Sequence, residues 1–169
     1  LWLTIFPAGG VGRLRWQGDA EIDWARVARA KRAIDLASIL NGGLVLGASD
    51  MHFGAKDNLI MPGRAKNMGD GWETRRRRGP GFDWAIVRLG SPGTIARIEI
   101  DTNHFKGNFP DSASVDACIA PGATFAALSP SPAWIELLPR TKLRAHHQHV
   151  FAREIRRVGV VSHVRLNMF

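Results

Sequence analysis

The stretch DTNHFKGN, residues 101–108, carries the residue types that acid–base chemistry needs. Asp101 and His104 can accept or donate protons, and Lys106 and Asn108 add further hydrogen-bonding groups. So many polar groups in one loop exceed what turn formation requires, and loops at strand ends often carry sites. We therefore predict a functional site here; the alternative is an ordinary polar turn.

A second polar cluster, SDMHFG at residues 49–54, places Asp50 and His52 two positions apart. Side chains two positions apart on an extended chain share a face. This spacing suits a pair of metal ligands or an oriented general base. The alternative is a turn aspartate beside a partly buried histidine.

Three histidines fall within four positions, at His146, His147 and His149. Their number is compatible with metal binding, but their spacing is not a recognised zinc signature and no cysteine assists them. In a strand, His147 and His149 would share one face and leave His146 on the other. Metal binding and a purely structural histidine cluster both stay open.

The stretch GDGWETRRRR, residues 69–78, ends in four consecutive arginines. If this segment is a strand or its lip, alternation places Arg75 and Arg77 on one face and Arg76 and Arg78 on the other. Two guanidinium groups are a good anchor for one carboxylate, because their planar fork matches it bidentately. They are poorly arranged to follow a nucleic-acid backbone. We interpret the run as two arginines that belong to a site and two that lie on the surface.

Composition restricts the class of protein. The 169 residues suit one domain with a little left over, and 45% of them are hydrophobic. The net charge is +8, but the basic residues are scattered from Arg13 to Arg165, so we expect no nucleic-acid partner. No apolar run approaches the roughly 18 residues that span a membrane. The single cysteine excludes an internal disulfide framework, and we expect a cytoplasmic protein.

Short β-strands must position these clusters. Residues 94–101 alternate between apolar and polar side chains, which predicts a half-buried strand. The apolar run 84–89 precedes it, separated by GSPG at 90–93, so we predict an antiparallel hairpin. Further strands are predicted at 44–48, 114–119, 134–138 and 163–169. This pattern is typical of an all-β sandwich or jelly roll.

Helical spacing predicts one helix over residues 23–40, ended by Asn41-Gly42-Gly43, and a short helix near residues 151–155. The stretch LTIF at residues 3–6 is weakly similar to LNMF at residues 166–169, and we call this similarity the echo. If it is real, the chain begins and ends at the same point of a repeat of about 160 residues.

Read in order, three stretches resemble the allantoicase family: NGGLVLGASDMHFG, GDGWETRRRR and IEIDTNHFKGNFPDS. The resemblance implies two galactose-binding-like β jelly-roll repeats. Residues 1–18 would be tail strands of a preceding repeat, 19–35 a helical connector, and 36–169 a second repeat that lacks its last strand. Residues 11–16 could then fill that strand's position. The resemblance also implies a homo-oligomer in the full protein.

The implied reaction is hydrolysis of allantoate to ureidoglycolate and urea, a step in purine breakdown. Allantoate carries one carboxylate and two ureido arms on a single carbon. Under this resemblance we assign the carboxylate to Arg75 and Arg77. We assign the ureido arms to Asp50, Glu73 and Asn108.

For the chemical step we assign Asp101 with His104 as general base or acid, and Lys106 as a stabiliser of negative charge. No cofactor is certain. A divalent metal ion stays open, held by some of His52, His146 and His149.

Two positions depart from the family pattern. Gln148 stands where an arginine is usual, and Asn103 stands where a small residue is commoner. The alternative function is a non-catalytic jelly-roll module that binds a ureide or a carbohydrate, since a fold does not determine a function.

Overall fold

The computed structural model describes residues 4, 6–7, 9–11, 15, 22–30, 32–131 and 133–169. The predicted echo at residues 3–6 and the predicted strand at residues 11–16 include residues outside these ranges. The strands within the described ranges are β1 Leu44–Ala48, β2 Asp83–Thr94, β3 Ile98–Asp101, β4 Ser112–Cys118, β5 Ile135–Lys142, β6 Gln148–Phe151 and β7 Val160–Met168. The α-helices there are α1 Trp24–Arg29 and α2 Phe125–Leu128, and short 3-10 turns lie at Ile39–Asn41, Lys56–Ile60 and Met68–Asp70.

Five strands form one sheet in the order β1-β2-β7-β4-β5, and β3 pairs with β6 in a second sheet. Every pairing is antiparallel. The strands predicted at 44–48, 114–119, 134–138 and 163–169 correspond to β1, β4, β5 and β7, with ends that shift by a few residues. An apolar run, as in β1, and alternation, as at Val164, Leu166 and Met168 of β7, are local signals and therefore readable from sequence.

The core lies between the two sheets. Leu89, Val115 and Val161 of the larger sheet pack with Phe151 of β6, all at most 7% exposed. The partly buried isoleucines of β3, Ile98 and Ile100, pack against the same cluster. Full burial of one such side chain stabilises the fold by about 1.5–3 kcal/mol. The prediction of an all-β sandwich is confirmed.

The predicted hairpin between residues 84–89 and 94–101 is wrong. Strand β2 continues through the expected turn to Thr94, and β3 pairs with β6 instead. Gly90 serves close packing, because a Cβ there would lie 1.7 Å from the carbonyl oxygen of Asn41. Its N–H donates to the carbonyl of Leu36. A Gly-Ser-Pro-Gly signal marks a special backbone, but it does not identify the strand partner.

The predicted helix over 23–40 is also wrong in extent, since α1 ends at Arg29. Asp35 competes with helix formation farther on, because its Oδ1 accepts the N–H groups of Ala37 and Ser38. The short helix expected near 151–155 does not form; the carboxylate of Glu154 accepts the backbone N–H groups there. Among the described residues, no helix has the length and apolar character needed to cross a bilayer.

One end of the sandwich collects the long connections. Ala48↔Ala85 and Asp83↔Met168 place the end of β1, the start of β2 and the end of β7 side by side. Ser112↔Lys142 pairs the start of β4 with the end of β5. Asp101↔Gln148 does the same for β3 and β6. We call the connecting residues 49–82, 102–111 and 143–147 the loop end. Nearly every residue that the sequence singled out lies in it or at its margin.

Candidate functional site

The connection 49–82 folds back on itself and packs on residue 105. Gly54 and Glu73 form an isolated antiparallel bridge. The buried Trp72 donates its indole N–H to the carbonyl of Asp50 at 2.8 Å. The ring of Phe105 lies so close to Gly71 that a Cβ there would be 2.6 Å from a ring carbon. These contacts hold the connection against the loop that follows β3.

Asp101 ends β3 and forms a bidentate ion pair with Arg64. Arg64 Nε donates to Asp101 Oδ2 at 2.8 Å, and Nη2 donates to Oδ1 at 3.2 Å. Asp101 Oδ1 also accepts the N–H of Asn103. The pair raises the pKa of the Arg64 guanidinium, chiefly through the hydrogen bond to Asp101. Asp101 is therefore fixed in place by a cation from the neighbouring connection.

The carbonyl oxygen of the next residue of that connection, Ala65, contacts two side chains. Asn103 Nδ2 donates to it at 2.9 Å, and His104 Nε2 lies 3.1 Å from it. Asn103, one of the two departures from the family pattern, thus holds the connection in place. The described hydrogen bonds include none between the predicted partners Asp101 and His104; both reach the 64–65 segment instead.

His104 and His146 stand next to each other in unusual backbone conformations, with φ of 69° and 48°. The N–H of His104 donates to His146 Nδ1 at 2.8 Å, and the N–H of His146 donates to the carbonyl of Phe105. Their ring centroids are 5.5 Å apart. Left-handed non-glycine residues are uncommon and cluster at functional sites.

The other two histidines of the cluster have structural roles. His149 is buried, its Nε2 accepts the N–H of Arg144, and its Nδ1 donates to the carbonyl of Ile100. Arg144 also contacts His147 Nε2, and burial together with this cation lowers the pKa of His147. Gln148, the other departure from the family pattern, donates to Glu99 at 2.6 Å.

The metal set suggested by His52, His146 and His149 does not fit these positions. Both ring nitrogens of His149 are engaged by backbone groups, so no lone pair is left for a metal ion. In the part of the chain that the structure describes, no three histidine, cysteine or carboxylate side chains could together hold a metal ion. The sequence placed these histidines near each other, but it could not show which lone pairs were occupied.

Asp50 is a turn aspartate, as the alternative interpretation held. Its Oδ2 accepts the N–H of His52 at 3.3 Å and the N–H of Arg75 at 2.7 Å. The ring of His52 is exposed and lies edge-on to Phe53, with centroids 4.4 Å apart. The histidine of that alternative is exposed and not partly buried, and the metal pair of Asp50 and His52 stays a prediction.

Glu73 and Asn108 meet across the two loops. Asn108 Nδ2 donates to Glu73 Oε1 at 2.6 Å. Among the described residues, no hydrogen bond engages the second carboxylate oxygen of Glu73 or the amide oxygen of Asn108. Lys106 is exposed, and the described side chains include no ion-pair partner for it. These three residues bring an anion, an amide and a cation to the place where the two loops meet.

The four arginines do not form a strand, and all four are exposed. The expected alternation of their side chains therefore does not apply. Arg75 Nε lies 3.9 Å from Asp50 Oδ1, and Arg77 donates to the buried Asp83 at 2.7 Å. Burial alone would raise the pKa of Asp83, but hydrogen bonds from Arg77, Ser49 and Thr74 hold it below its ordinary value.

Sequence reasoning missed Arg64, which follows a Pro-Gly turn and has no distinctive spacing. It also missed a groove of about 300 Å³ at the same end, lined by Asp111, Ser112, Arg140 and Lys142. In that groove Arg140 lies 4.0 Å above the ring of Phe169. No local pattern marks these residues, because their partners are distant in sequence.

Comparison with known proteins identifies the fold and its family. The family model described as the allantoicase repeat matches residues 34–169. A probable allantoicase of Pseudomonas paraeruginosa (strain DSM 24068 / PA7) is 52% identical, over 100% of this chain and 51% of the relative. A probable allantoicase of Stutzerimonas stutzeri (strain A1501) is 51% identical with the same coverage. The chain thus spans about half the length of the curated relatives it matches.

The crystal structure of allantoicase from Saccharomyces cerevisiae superposes with a TM-score of 0.69 at 43% identity, over 80% of this chain and 39% of that one. The stretches that suggested the resemblance lie at the loop end or in the strands that support it. With a family model matching most of its length and relatives of about half identity across all of it, the chain belongs to the allantoicase family.

Proposed function

We propose that this chain takes part in the hydrolysis of allantoate to ureidoglycolate and urea, a step in purine breakdown, as one half of a longer enzyme. Family membership across residues 34–169 is the observation that carries the proposal. The convergence of acidic, basic, amide and imidazole groups at one end of the sandwich supports it. The substrate is a small polar anion, and such a ligand needs the same mixture of groups.

The carboxylate of allantoate would bind Arg75 and Arg77. Each guanidinium has five N–H donors, so the bond from Arg77 to Asp83 leaves most of them available. Arg75 is 71% exposed at its side chain, and Arg77 is 42% exposed. Both can therefore turn a free edge towards a carboxylate in solution.

The ureido arms would bind the Glu73–Asn108 pair and Asp50. A ureido group presents N–H donors and one carbonyl acceptor. The free Glu73 oxygen can accept an N–H, and Asn108 can accept through its amide oxygen. Asp50 already accepts two backbone N–H groups, so it contributes mainly negative charge and a fixed turn.

For the chemical step, Asp101 and His104 are the proposed acid–base residues, and Lys106 would stabilise developing negative charge. Asp101 is held by Arg64, so His104 is the more available proton acceptor of the two. A divalent metal ion is not required by this arrangement.

The same proposal extends to assembly and location. Residues 1–18, 19–35 and 36–169 would be the tail of one repeat, a connector and a second repeat. The full protein would be a cytoplasmic homo-oligomer. Coverage of about half of each curated relative supports a two-repeat protein of this kind.

Urea release from allantoate tests the function. The chain and the 52% identical Pseudomonas paraeruginosa relative would be assayed side by side, with and without added divalent metal ions. Release by both, or by the relative with a folded chain that binds allantoate, supports the proposal. No urea release by the folded full-length protein that contains this chain, under any metal condition, would refute it.

The variant Asp101→Asn separates an enzyme from a ureide-binding module. An enzyme loses turnover with a modest loss of allantoate affinity, measured by calorimetry. A binding module shows allantoate affinity and no urea release in any form.

A further inference from the structure

The hydrogen bonds of His104 determine which of its ring nitrogens carries the proton. A backbone carbonyl can only accept, so the contact of His104 Nε2 with the carbonyl of Ala65 requires a hydrogen on Nε2. The neutral ring then has a lone pair on Nδ1. In the described ranges, no hydrogen-bond donor meets that nitrogen, so it is available to accept a proton.

The tautomer of His146 is determined in the same way. The N–H of His104 donates to His146 Nδ1, so Nδ1 must carry the lone pair and Nε2 the hydrogen. His146 is exposed, and the described residues offer no acceptor for its Nε2–H. This ring therefore presents a hydrogen-bond donor to solvent.

The two rings are held close together and cannot easily exchange these roles. Their centroids are 5.5 Å apart with an interplanar angle of 62°. Each backbone has a positive φ, and the bond from His146 N–H to the carbonyl of Phe105 closes the two loops on each other. Protonating His146 at Nδ1 would break the hydrogen bond that this nitrogen accepts from the N–H of His104.

His149 provides the contrast within the same segment. Both of its ring nitrogens are engaged by backbone groups, and the residue is buried. His149 therefore has no ring nitrogen left for a ligand. In His104 and His146, one ring nitrogen forms a hydrogen bond within the fold, and the other has no partner among the described residues.

We propose that His104 and His146 are a complementary pair of neutral imidazoles in the allantoate site, with His104 Nδ1 as proton acceptor and His146 Nε2–H as hydrogen-bond donor. This assignment rests on the proposed function. The adjoining chain segments carry Asp101 and Lys106 on either side of His104 and Arg144 beside His146, and Arg64 pairs with Asp101.

The step balances without a further reactant. His104 Nδ1 takes a proton from water, whose oxygen forms a bond to the carbon that carries both ureido arms. The C–N bond to one arm breaks, and the departing nitrogen takes the proton back from His104, so urea leaves neutral. His146 keeps its proton throughout and donates a hydrogen bond to a ureido oxygen, because a neutral imidazole is a poor acid but a good donor.

Nitrogen-15 NMR of the histidine rings tests the tautomers directly on the chain. At pH 8, His104 and His146 should both show a protonated Nε2 and an unprotonated Nδ1, whereas His149 should show the opposite tautomer. Added allantoate should shift His104 Nδ1 and His146 Nε2 and leave His149 unchanged. A protonated Nδ1 on His104 or His146, or allantoate binding that moves neither ring, would overturn the assignment.

Matched variants separate the two roles. His104→Gln keeps a donor for the carbonyl of Ala65 and removes the Nδ1 lone pair, so turnover should fall by about 100-fold or more at little change in KM. His146→Asn keeps an acceptor for the N–H of His104 and removes the outer donor, with a loss of about 100-fold. His146→Gln, which restores a donor at the outer position, should recover part of it. Arg157→Gln, at an exposed position outside the loop end, should leave turnover unchanged.

The two proposals fail in different ways. Correct tautomers with allantoate-induced shifts support the histidine pair even if no urea appears, and only the hydrolytic function is then lost. Urea release that is undiminished in folded His104→Gln overturns the pair and leaves the function standing.

Discussion

Two aspartate–arginine pairs use the same chemistry in opposite settings. Asp116 of β4 lies directly opposite Arg165 of β7, at 2.8 Å, with side chains 17% and 22% exposed. Asn167 donates to the same carboxylate oxygen, and the guanidinium lies 5.0 Å from the Trp134 ring. Arg64 and Asp101 are equally close at 2.8 Å, but their side chains are 51% and 21% exposed.

The difference lies in what each pair joins. Asp116 and Arg165 connect two central strands that the sheet ladder already holds, and they are shielded from water. Arg64 and Asp101 connect an irregular segment to the end of a short strand, in contact with solvent. The first pair should therefore affect stability, and the second should affect the geometry of the loop end.

The largest effect should follow Asp116→Ala. Removing the carboxylate leaves Arg165 and Asn167 without their shared acceptor in a poorly hydrated position, so the free energy of unfolding should fall by about 3 kcal/mol. Urea denaturation measures this. Asp57→Ala, which removes a carboxylate that is 48% exposed and pairs with Lys56, is the control and should change stability little. Equal losses in both variants would remove the distinction between the two settings.

Arg64→Ala should give a smaller and different effect. Asp101 loses its bidentate partner, so we expect residues 61–70 to exchange amide hydrogens faster while the strands stay protected. Allantoate turnover should fall by about 10-fold, since loss of positioning acts through another residue. Arg64→Lys should recover only part of it, because an ammonium cannot bind bidentately. A global loss of protection would contradict the comparison.

Arg77→Ala tests the intermediate case, in which an exposed cation supports a buried carboxylate. The pKa of Asp83 is lowered from its ordinary value of 3.8 in the folded protein. The stability that this provides is fully present at pH values above 3.8 and is lost as the pH falls through the lower pKa of the folded state. Without Arg77, burial dominates and the pKa rises. Acid unfolding should then begin at higher pH than in the wild type. Arg78→Ala, at a neighbouring exposed arginine, should leave the acid midpoint unchanged.

The smallest effect should come from His163, which is fully buried beside β2 and β4. Burial, with a minor contribution from Arg88, lowers its pKa from 6.5. As pH falls below 6.5 the unfolded chain takes up a proton that the folded chain does not, so stability declines. His163→Gln should reduce this decline in thermal melts between pH 7 and 5. An unchanged slope would assign the decline to His147, whose pKa is lowered too.

The comparison also separates what local patterns could and could not predict. Strand β1 was visible as an apolar run, β7 as an alternation of apolar and polar residues, and DTNHFKGN as a polar loop, because all three are properties of nearby residues. The partner of β3 was not visible, and the Pro-Gly turn suggested the wrong one. The role of His149 was not visible either, since counting histidines does not show which lone pairs the backbone occupies.

The sequence by itself determined the all-β class, most strands, the family and the segments that hold the polar residues, since side-chain alternation and distinctive motifs are local. Only the tertiary structure decided that Arg64 meets Asp101, that Asn103 and His104 share the carbonyl of Ala65, and which nitrogen of each histidine is free. Those contacts join residues some forty positions apart. Their geometry depends on how two loops close on each other, which no spacing along one chain segment encodes.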